Sequence, residues 1–143
     1  MTDDFVRRRE FNRGSIAVLL TALAPATAYG TVRGVGKRIV IRQPLPGDPQ
    51  REVTLVEIMY RPGAGSPPHV HDEGVMAFVV AGSVASKVGD GPEHLFHAGE
   101  AWWEPPGAIH RVSRNASSSE EARLLAIYIA PQHASETDLM RPL

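Results

Sequence analysis

The chain contains no cysteine among its 143 residues. Disulfide scaffolds, thiolate metal sites and cysteine nucleophiles are therefore excluded. The formal net charge is only −1, so the chain has no basic field with which to attract nucleic acid. The length suits one domain. These absences leave a small protein without thiol chemistry and without an electrostatic preference for nucleic acid.

A hydrophobic run long enough to cross a membrane is also missing from the N-terminal region. Residues 14–24 (GSIAVLLTALA) are uncharged and mostly apolar, but a membrane-spanning helix needs about 20 such residues. A basic run, 7–13, precedes this stretch, and the small residues Ala26-Thr27-Ala28 follow it. This order is typical of a cleaved secretory signal peptide, and it predicts no stable membrane anchor.

The pair Arg8-Arg9 resembles the start of a twin-arginine export motif, because Phe11 follows two residues later. Asn12 and Arg13 stand where that motif usually has Leu-Lys. We therefore expect residues 1–28 to be a signal peptide, residues 29–143 to form the mature domain, and the protein to be periplasmic or extracellular. The alternative is an amphipathic N-terminal helix that is kept.

The mature region has the pattern of an all-β chain. Short runs rich in Val and Ile alternate with turns that contain Gly and Pro, and the chain has 13 Gly and 12 Pro. This spacing suggests a β-sandwich or barrel. We expect residues 131–143 to be a loosely packed tail. The predicted strands are 37–42, 52–61, 75–81, 84–88, 93–97, 101–104, 109–114 and 122–130.

Three histidines are the strongest functional signal. On a strand, residues i and i+2 point to the same face, so His69 and His71 aim two imidazoles at one point. A Pro-x-Gly turn, Pro105 to Gly107, precedes His110 on another predicted strand. Imidazole is a common ligand of Zn, Fe, Ni and Cu, so this trio predicts a metal site.

Two motifs around these histidines resemble those of the cupin superfamily. In the first, Gly63, His69, His71 and Gly82 fall in register. In the second, Gly99, Pro105, Gly107 and His110 fit without a gap, while Arg114 takes the place of the usual Asn and Asn115 follows it. The resemblance implies an all-β cupin fold, which is a double-stranded β-helix or jelly-roll barrel, and often a homodimer.

The resemblance also implies a ligand set, from which this chain departs at one position. Cupins bind one divalent metal through the two His of the first motif, a Glu, and the His of the second motif. Here these are His69, His71 and His110, but Val75 stands at the Glu position and cannot ligate. Three neutral histidines would leave the full charge of the metal uncancelled, which favours an anionic substrate or hydroxide.

Two carboxylates are candidates to replace the missing Glu. Glu73 lies in the turn after His71, and we expect it to be solvated. Glu104 lies between Trp103 and Pro105 on a predicted strand, and we assign it a role as an acid/base or as a partner that orients a histidine.

Alternation along the strands predicts further positions. Adjacent Trp102 and Trp103 should point to opposite faces, one of them into the core. Val75, Ala77 and Val79 should share one face and form an apolar cavity floor. The remaining histidines of this region, His94 and His97, should be structural or exposed.

The leading functional hypothesis is an exported cupin that oxidises a small molecule in a dioxygenase-type reaction. Fe²⁺ is the favoured metal, and Mn²⁺, Ni²⁺, Cu²⁺ or Zn²⁺ are alternatives. One rival is a non-catalytic module that binds a small ligand or a metal. Another rival is a metal-free scaffold used for dimerisation, since Val75 is consistent with a site that has lost its metal.

Overall fold

The computed structural model describes residues 30–32 and 34–143. The predicted signal peptide, 1–28, lies outside the described residues. No helix in the described part of the chain is long and apolar enough to cross a membrane. The elements are β1 (Gly30–Val32), β2 (Val35–Leu45), β3 (Asp48–Tyr60), β4 (Gly65–Ser66), β5 (His69–Val70), β6 (Val75–Ala81), β7 (Ser83–Val88), β8 (His94–His97), β9 (Ala101–Glu104), β10 (Ile109–Asn115), β11 (Ala122–Pro131), α1 (Glu136–Leu139) and β12 (Arg141–Pro142).

The strands form two antiparallel sheets that face each other. The first has the order β1-β2-β3-β11-β6-β9, and the second has the order β12-β5-β10-β7-β8, with β4 also paired to β10. The chain crosses between the sheets several times, as a jelly roll does. The all-β jelly-roll fold expected from the sequence is confirmed.

The core lies between the inner faces of the sheets. Strand β6 shows the alternation that builds it, because Val75, Ala77 and Val79 are fully buried while Met76 and Phe78 on the other face are exposed. Trp102 packs against this core, and Trp103 lies outside it. The predicted division of faces is therefore confirmed on both β6 and β9.

The outer face of the first sheet carries a row of apolar side chains. Ile41 pairs with Leu55, Leu55 with Ile127, Ile127 with Met76, and Met76 with Trp103. The row therefore crosses β2, β3, β11, β6 and β9 in register. Trp103 is 53% exposed and Met76 50% exposed. We call these five residues the outer apolar row.

A β-bulge in β10 explains the displaced Asn of the second motif. The pairing of β10 with β7 shifts between His110 and Val112, so one extra residue enters the strand. As a result Asn115, not Arg114, points inward and is buried. Its side-chain amide donates to the Tyr60, Arg61 and Glu120 carbonyls. Asn115 therefore fastens this end of the barrel.

The end of the chain is ordered, and the predicted loose tail is wrong. Helix α1 begins at a Ser135–Asp138 capping box, and β12 pairs with β5. Leu139 is buried in the core cluster. Hydrophobic periodicity missed this segment because it is shorter than two helical turns. Residues 136–143, which we call the C-terminal segment, cover the mouth of the barrel beside His71.

Candidate metal centre

Short strands from the second sheet bring the three predicted histidines together. His69 lies on β5 directly opposite His110 on β10. The His69 ring centroid is 4.7 Å from that of His71 and 5.0 Å from that of His110. The turn that ends at Gly107 is tied to His71, since the Gly107 N–H donates to the His71 carbonyl at 2.8 Å. All three histidines are buried.

Glu104 joins the three histidines. Its Oε2 lies 2.9 Å from His110 Nδ1 and 3.4 Å from His71 Nε2. Ligand atoms of His69, His71, Glu104 and His110 all lie within 4.8 Å of one another. The cluster therefore contains the three predicted histidines and Glu104, one of the two carboxylates that the sequence offered in place of the missing Glu.

The position of Glu104 has a simple geometric cause. Val75 on β6 pairs directly with Glu104 on β9. Side chains directly opposite each other on antiparallel strands point to the same face with their Cβ atoms about 5 Å apart. A carboxylate at 104 therefore reaches the space that a Glu at position 75 would fill. The sequence showed both residues, but their cross-strand pairing appears only in the fold.

Hydrogen bonds hold the imidazoles in one tautomer. His69 Nδ1 donates to the Pro67 carbonyl at 2.7 Å, and His71 Nδ1 donates to the Leu139 carbonyl at 2.6 Å. A neutral imidazole with its proton on Nδ1 carries a lone pair on Nε2. The two Nε2 atoms are nevertheless only 3.1 Å apart. Two lone pairs at this distance repel each other unless a cation or a proton lies between them.

Residues outside the cluster also form hydrogen bonds with Glu104 and His110. Trp102 Nε1 donates to Glu104 Oε1 at 2.9 Å, and His110 Nε2 bonds the Ser86 hydroxyl at 2.8 Å. Glu104 Oε2 is buried and, although close to two histidines, has no hydrogen bond of good geometry. A buried carboxylate oxygen without such a bond is costly. A metal ion among the four groups would satisfy both this oxygen and the facing imidazole nitrogens.

The electrostatics favour neutral forms of His69 and His71 and an ionised Glu104. Burial lowers the pKa of His69 to about 4, and burial also lowers the pKa of His71. Burial by itself would raise the pKa of Glu104, but the nearby His110 and His71 and the hydrogen bond from Trp102 outweigh it, and the net shift is downward. Neutral imidazoles and a carboxylate are the forms that bind divalent metals.

The other sequence candidates lie outside the cluster. Glu73 is exposed and lies 3.5 Å from Arg51. His94 and His97 are exposed on β8. The solvated Glu73 and the exposed histidines agree with the sequence predictions.

Two further residues of the site were missed by sequence reasoning. The edge of the Tyr128 ring contacts the His71 ring, with centroids 5.4 Å apart. Leu139 supplies the carbonyl that holds His71, a backbone contact that leaves no mark on residue type. The alternation of β11 could have placed Tyr128 on the inner face, because its side chain follows Ala126 and Leu124 there.

Three cavities meet at this end of the barrel. One of about 20 Å³ lies inside, among the four clustered groups, and is bordered by Met140. A second, of about 230 Å³, opens to solvent between His71 and Leu139. A third, of about 20 Å³, lies between Lys37 and Met140. Tyr128 borders all three cavities, and the C-terminal segment forms the partition between them.

A family model described as a cupin domain matches residues 56–128. This chain belongs to the cupin family. The matched range contains all four clustered groups of this cupin. No curated protein shows significant sequence similarity to it.

Solved structures share the fold at low sequence identity. TT1209 from Thermus thermophilus is 28% identical with a TM-score of 0.58, covering 73% of this chain and 90% of that one. KdgF from Halomonas sp. is 18% identical with a TM-score of 0.58, covering 74% and 87%. A variant oxalate decarboxylase from B. subtilis is 22% identical with a TM-score of 0.60, covering 82% of this chain but only 30% of that one.

Proposed function

We propose that this cupin binds one divalent transition metal through His69, His71, His110 and Glu104. The observation that carries the proposal is the 3.1 Å approach of two Nε2 atoms whose rings both donate from Nδ1 to carbonyl oxygens. The unsatisfied Glu104 Oε2 supports it. Three imidazoles with one carboxylate suit Fe²⁺, Mn²⁺, Ni²⁺, Cu²⁺ or Zn²⁺.

The activity we favour is dioxygenase-type oxidation of a small molecule, with Fe²⁺ as the metal. Bound Fe²⁺ would supply redox chemistry with oxygen. The chain would supply orientation, since the Pro67 and Leu139 carbonyls and the Trp102 indole hold the ligand side chains in place. One carboxylate leaves a divalent site with a net positive charge, which still favours an anionic substrate.

Buried phenols border the same space. Burial raises the pKa of Tyr60, whose hydroxyl bonds Ser66 and Ser113, and burial raises the pKa of Tyr128. Both phenols therefore stay protonated. A neutral phenol can stabilise a bound substrate oxygen by donating a hydrogen bond to it.

A second candidate function is metal or ligand binding without turnover. The inner cavity of about 20 Å³ favours it, because that volume holds an ion or a water molecule and not an organic substrate. Catalysis on an organic molecule inside this inner cavity therefore requires the C-terminal segment to move. Oxygen uptake by the Fe²⁺-loaded protein with candidate phenols or thiols distinguishes the two functions.

Elemental analysis of the untagged chain tests the metal site directly. We expect close to one transition metal per chain in the wild type and little in His69→Ala or His110→Ala. His94→Ala is the matched control, because His94 is an exposed histidine on β8, and it should keep its metal. A wild type that stays metal-free after reconstitution overturns the proposal.

We also propose that the protein is exported by the twin-arginine route. The support is the sequence alone, namely Arg8-Arg9 before an apolar stretch and Ala26-Thr27-Ala28. Replacing both Arg8 and Arg9 by Lys should keep the protein in the cytoplasm in a fractionation experiment. Replacing Arg7 and Arg13 by Lys is the control, and equal fractionation of the two variants contradicts export by this route.

We further propose that the protein is a homodimer that buries the outer apolar row. A row of apolar side chains across five strands is about 20 Å wide, given a strand spacing of about 4.8 Å. Exposed apolar patches of this kind mark interaction sites. Beside the row, Arg38 and Arg123 flank Glu57. This mixture of charge signs allows a second copy to be a complementary partner.

A further inference from the structure

Lys37 is a cation on the inner face of the barrel beside the candidate metal centre. It pairs across the sheet with Ile58, whose side chain borders the inner cavity. It also borders a cavity with Tyr128, the residue whose ring contacts His71. Lys37 therefore lies beside the site, although the proposed metal centre does not use it.

The partners of Lys37 come from the C-terminal segment. Within the described residues, its Nζ donates its one hydrogen bond to the Met140 Sδ at 3.4 Å, and Glu136 is the carboxylate whose charge acts on it. A thioether is a weak acceptor. Burial lowers the pKa of Lys37, so the charged form gains little from its present surroundings. A lysine in this position is well suited to a stronger, anionic partner.

Met140 fills the space that such a partner would take. Its side chain borders the inner cavity and the cavity beside Lys37, and so lies between the ammonium group and the four clustered groups. Displacing it would join the two spaces. The same movement would leave Lys37 without the thioether, at the edge of the enlarged cavity.

We infer that this site takes a small organic anion whose carboxylate, or a similar oxyanion, binds Lys37 in the space that the Met140 side chain now occupies. The inference rests on the proposed metal centre, because the rest of the ligand would extend toward His69, His71, His110 and Glu104. The ligand exchanges a weak N–H···S contact for a charge-assisted hydrogen bond. The C-terminal segment then acts as the part of the barrel that yields when the ligand enters.

The test compares acetate with acetamide, a neutral molecule of nearly the same shape. The full-length protein is loaded with Zn²⁺, its zinc content is measured, and each probe is titrated near neutral pH by NMR chemical shifts. We expect wild type to prefer acetate, Lys37→Met to lose about tenfold or more in acetate affinity, and Lys37→Arg to keep the preference. Met140→Ala should bind acetate severalfold more tightly.

Lys87→Met is the matched control. Lys87 is the other lysine of this chain and follows Ser86, whose side chain points inward to His110, so Lys87 projects from the opposite face. The Lys87→Met variant should therefore bind acetate as tightly as wild type. If both proteins bind zinc but Lys37→Met binds acetate as tightly as wild type, the inference is overturned and the metal centre is not. Failure of acetate to bind both wild type and Met140→Ala also overturns the inference. A wild type that binds no zinc overturns the metal centre.

Discussion

At the scale of single residues, the site depends on a carboxylate that stands in an unexpected position. Val75 occupies the place where the cupin motif has Glu, and Glu104 on the neighbouring strand provides the carboxylate. The motif taken along β6 alone lacks its carboxylate. The residue directly opposite on β9 supplies it, because directly opposed side chains share the same space.

The position of the carboxylate can be tested by moving it from residue 104 on β9 back to residue 75 on β6. Glu104→Val should weaken Zn²⁺ binding roughly tenfold or more, because a charged ligand and its contact with Trp102 are lost. Adding Val75→Glu to that variant should restore most of the affinity. The measurement is competition with a chelating dye. The exposed Glu73 gives the control variant, Glu73→Val, and failure of the double variant to recover would contradict the shared position.

The buried histidines also predict how the metal-free protein responds to acid. In the unfolded chain His69 binds a proton below its ordinary pKa of 6.5, whereas in the folded protein its pKa is about 4. The unfolded state therefore binds more protons between these values, and stability falls as the pH falls from about 6.5 to about 4. His69 alone contributes on the order of 3 kcal/mol to this loss.

Urea unfolding of the metal-free protein near pH 7 and pH 4.5 measures this effect. His69→Phe should show a smaller loss than the wild type, because it removes one of the groups whose pKa is lower in the folded than in the unfolded state. Identical losses in the two proteins would show that His69 does not take part.

At the scale of elements, the C-terminal segment is part of the site. Its Leu139 carbonyl accepts the hydrogen bond from His71 Nδ1, and β12 pairs with β5, which carries His69. Arg141 adds an ion pair to Asp72 at 3.1 Å. A segment expected to be a loose tail thus supports two of the four clustered groups.

Removing residues 136–143 should therefore weaken metal binding without abolishing the fold. Loss of a carbonyl that orients a metal-binding histidine typically costs about 10- to 100-fold in affinity. Circular dichroism should still report a β protein, because the two sheets keep their long strands β3, β6, β10 and β11. Deletion of Leu143 alone, which is exposed, is the control. Unchanged zinc affinity in the longer deletion would contradict a supporting role.

The β10 strand shows how one element can change what a motif means. The bulge between His110 and Val112 turns Asn115 inward and Arg114 outward. Asn115 thus takes the inward position of the motif Asn, although it lies one residue later in the sequence. Its role is structural, since it bonds three backbone carbonyls.

At the scale of the whole molecule, the outer apolar row predicts self-association. Met76→Arg places a charge in the middle of the row, where a second copy would have to desolvate it. We expect the dimer to dissociate at least about tenfold more readily in sedimentation experiments. Leu95→Arg is the matched control, since Leu95 is equally exposed but lies on the other sheet. A monomeric wild type would contradict the proposed dimer.

Local patterns in the sequence determined much of this protein. Short apolar runs between turns that contain Gly and Pro located β6 and β9 to the residue and most other strands to within a few positions. The spacing of His69, His71 and His110 predicted that they would meet, and in the structure they do.

Only the tertiary structure decided the rest, because the remaining contacts join residues far apart in the chain through register and backbone. The pairing of Val75 with Glu104 follows from the alignment of two strands. The hydrogen bond from His71 is accepted by the backbone carbonyl of Leu139, a group that every residue type has. The contact of Lys37 with Met140 spans 103 positions. Side-chain periodicity carries no information about which strands become neighbours, and these neighbours complete the site.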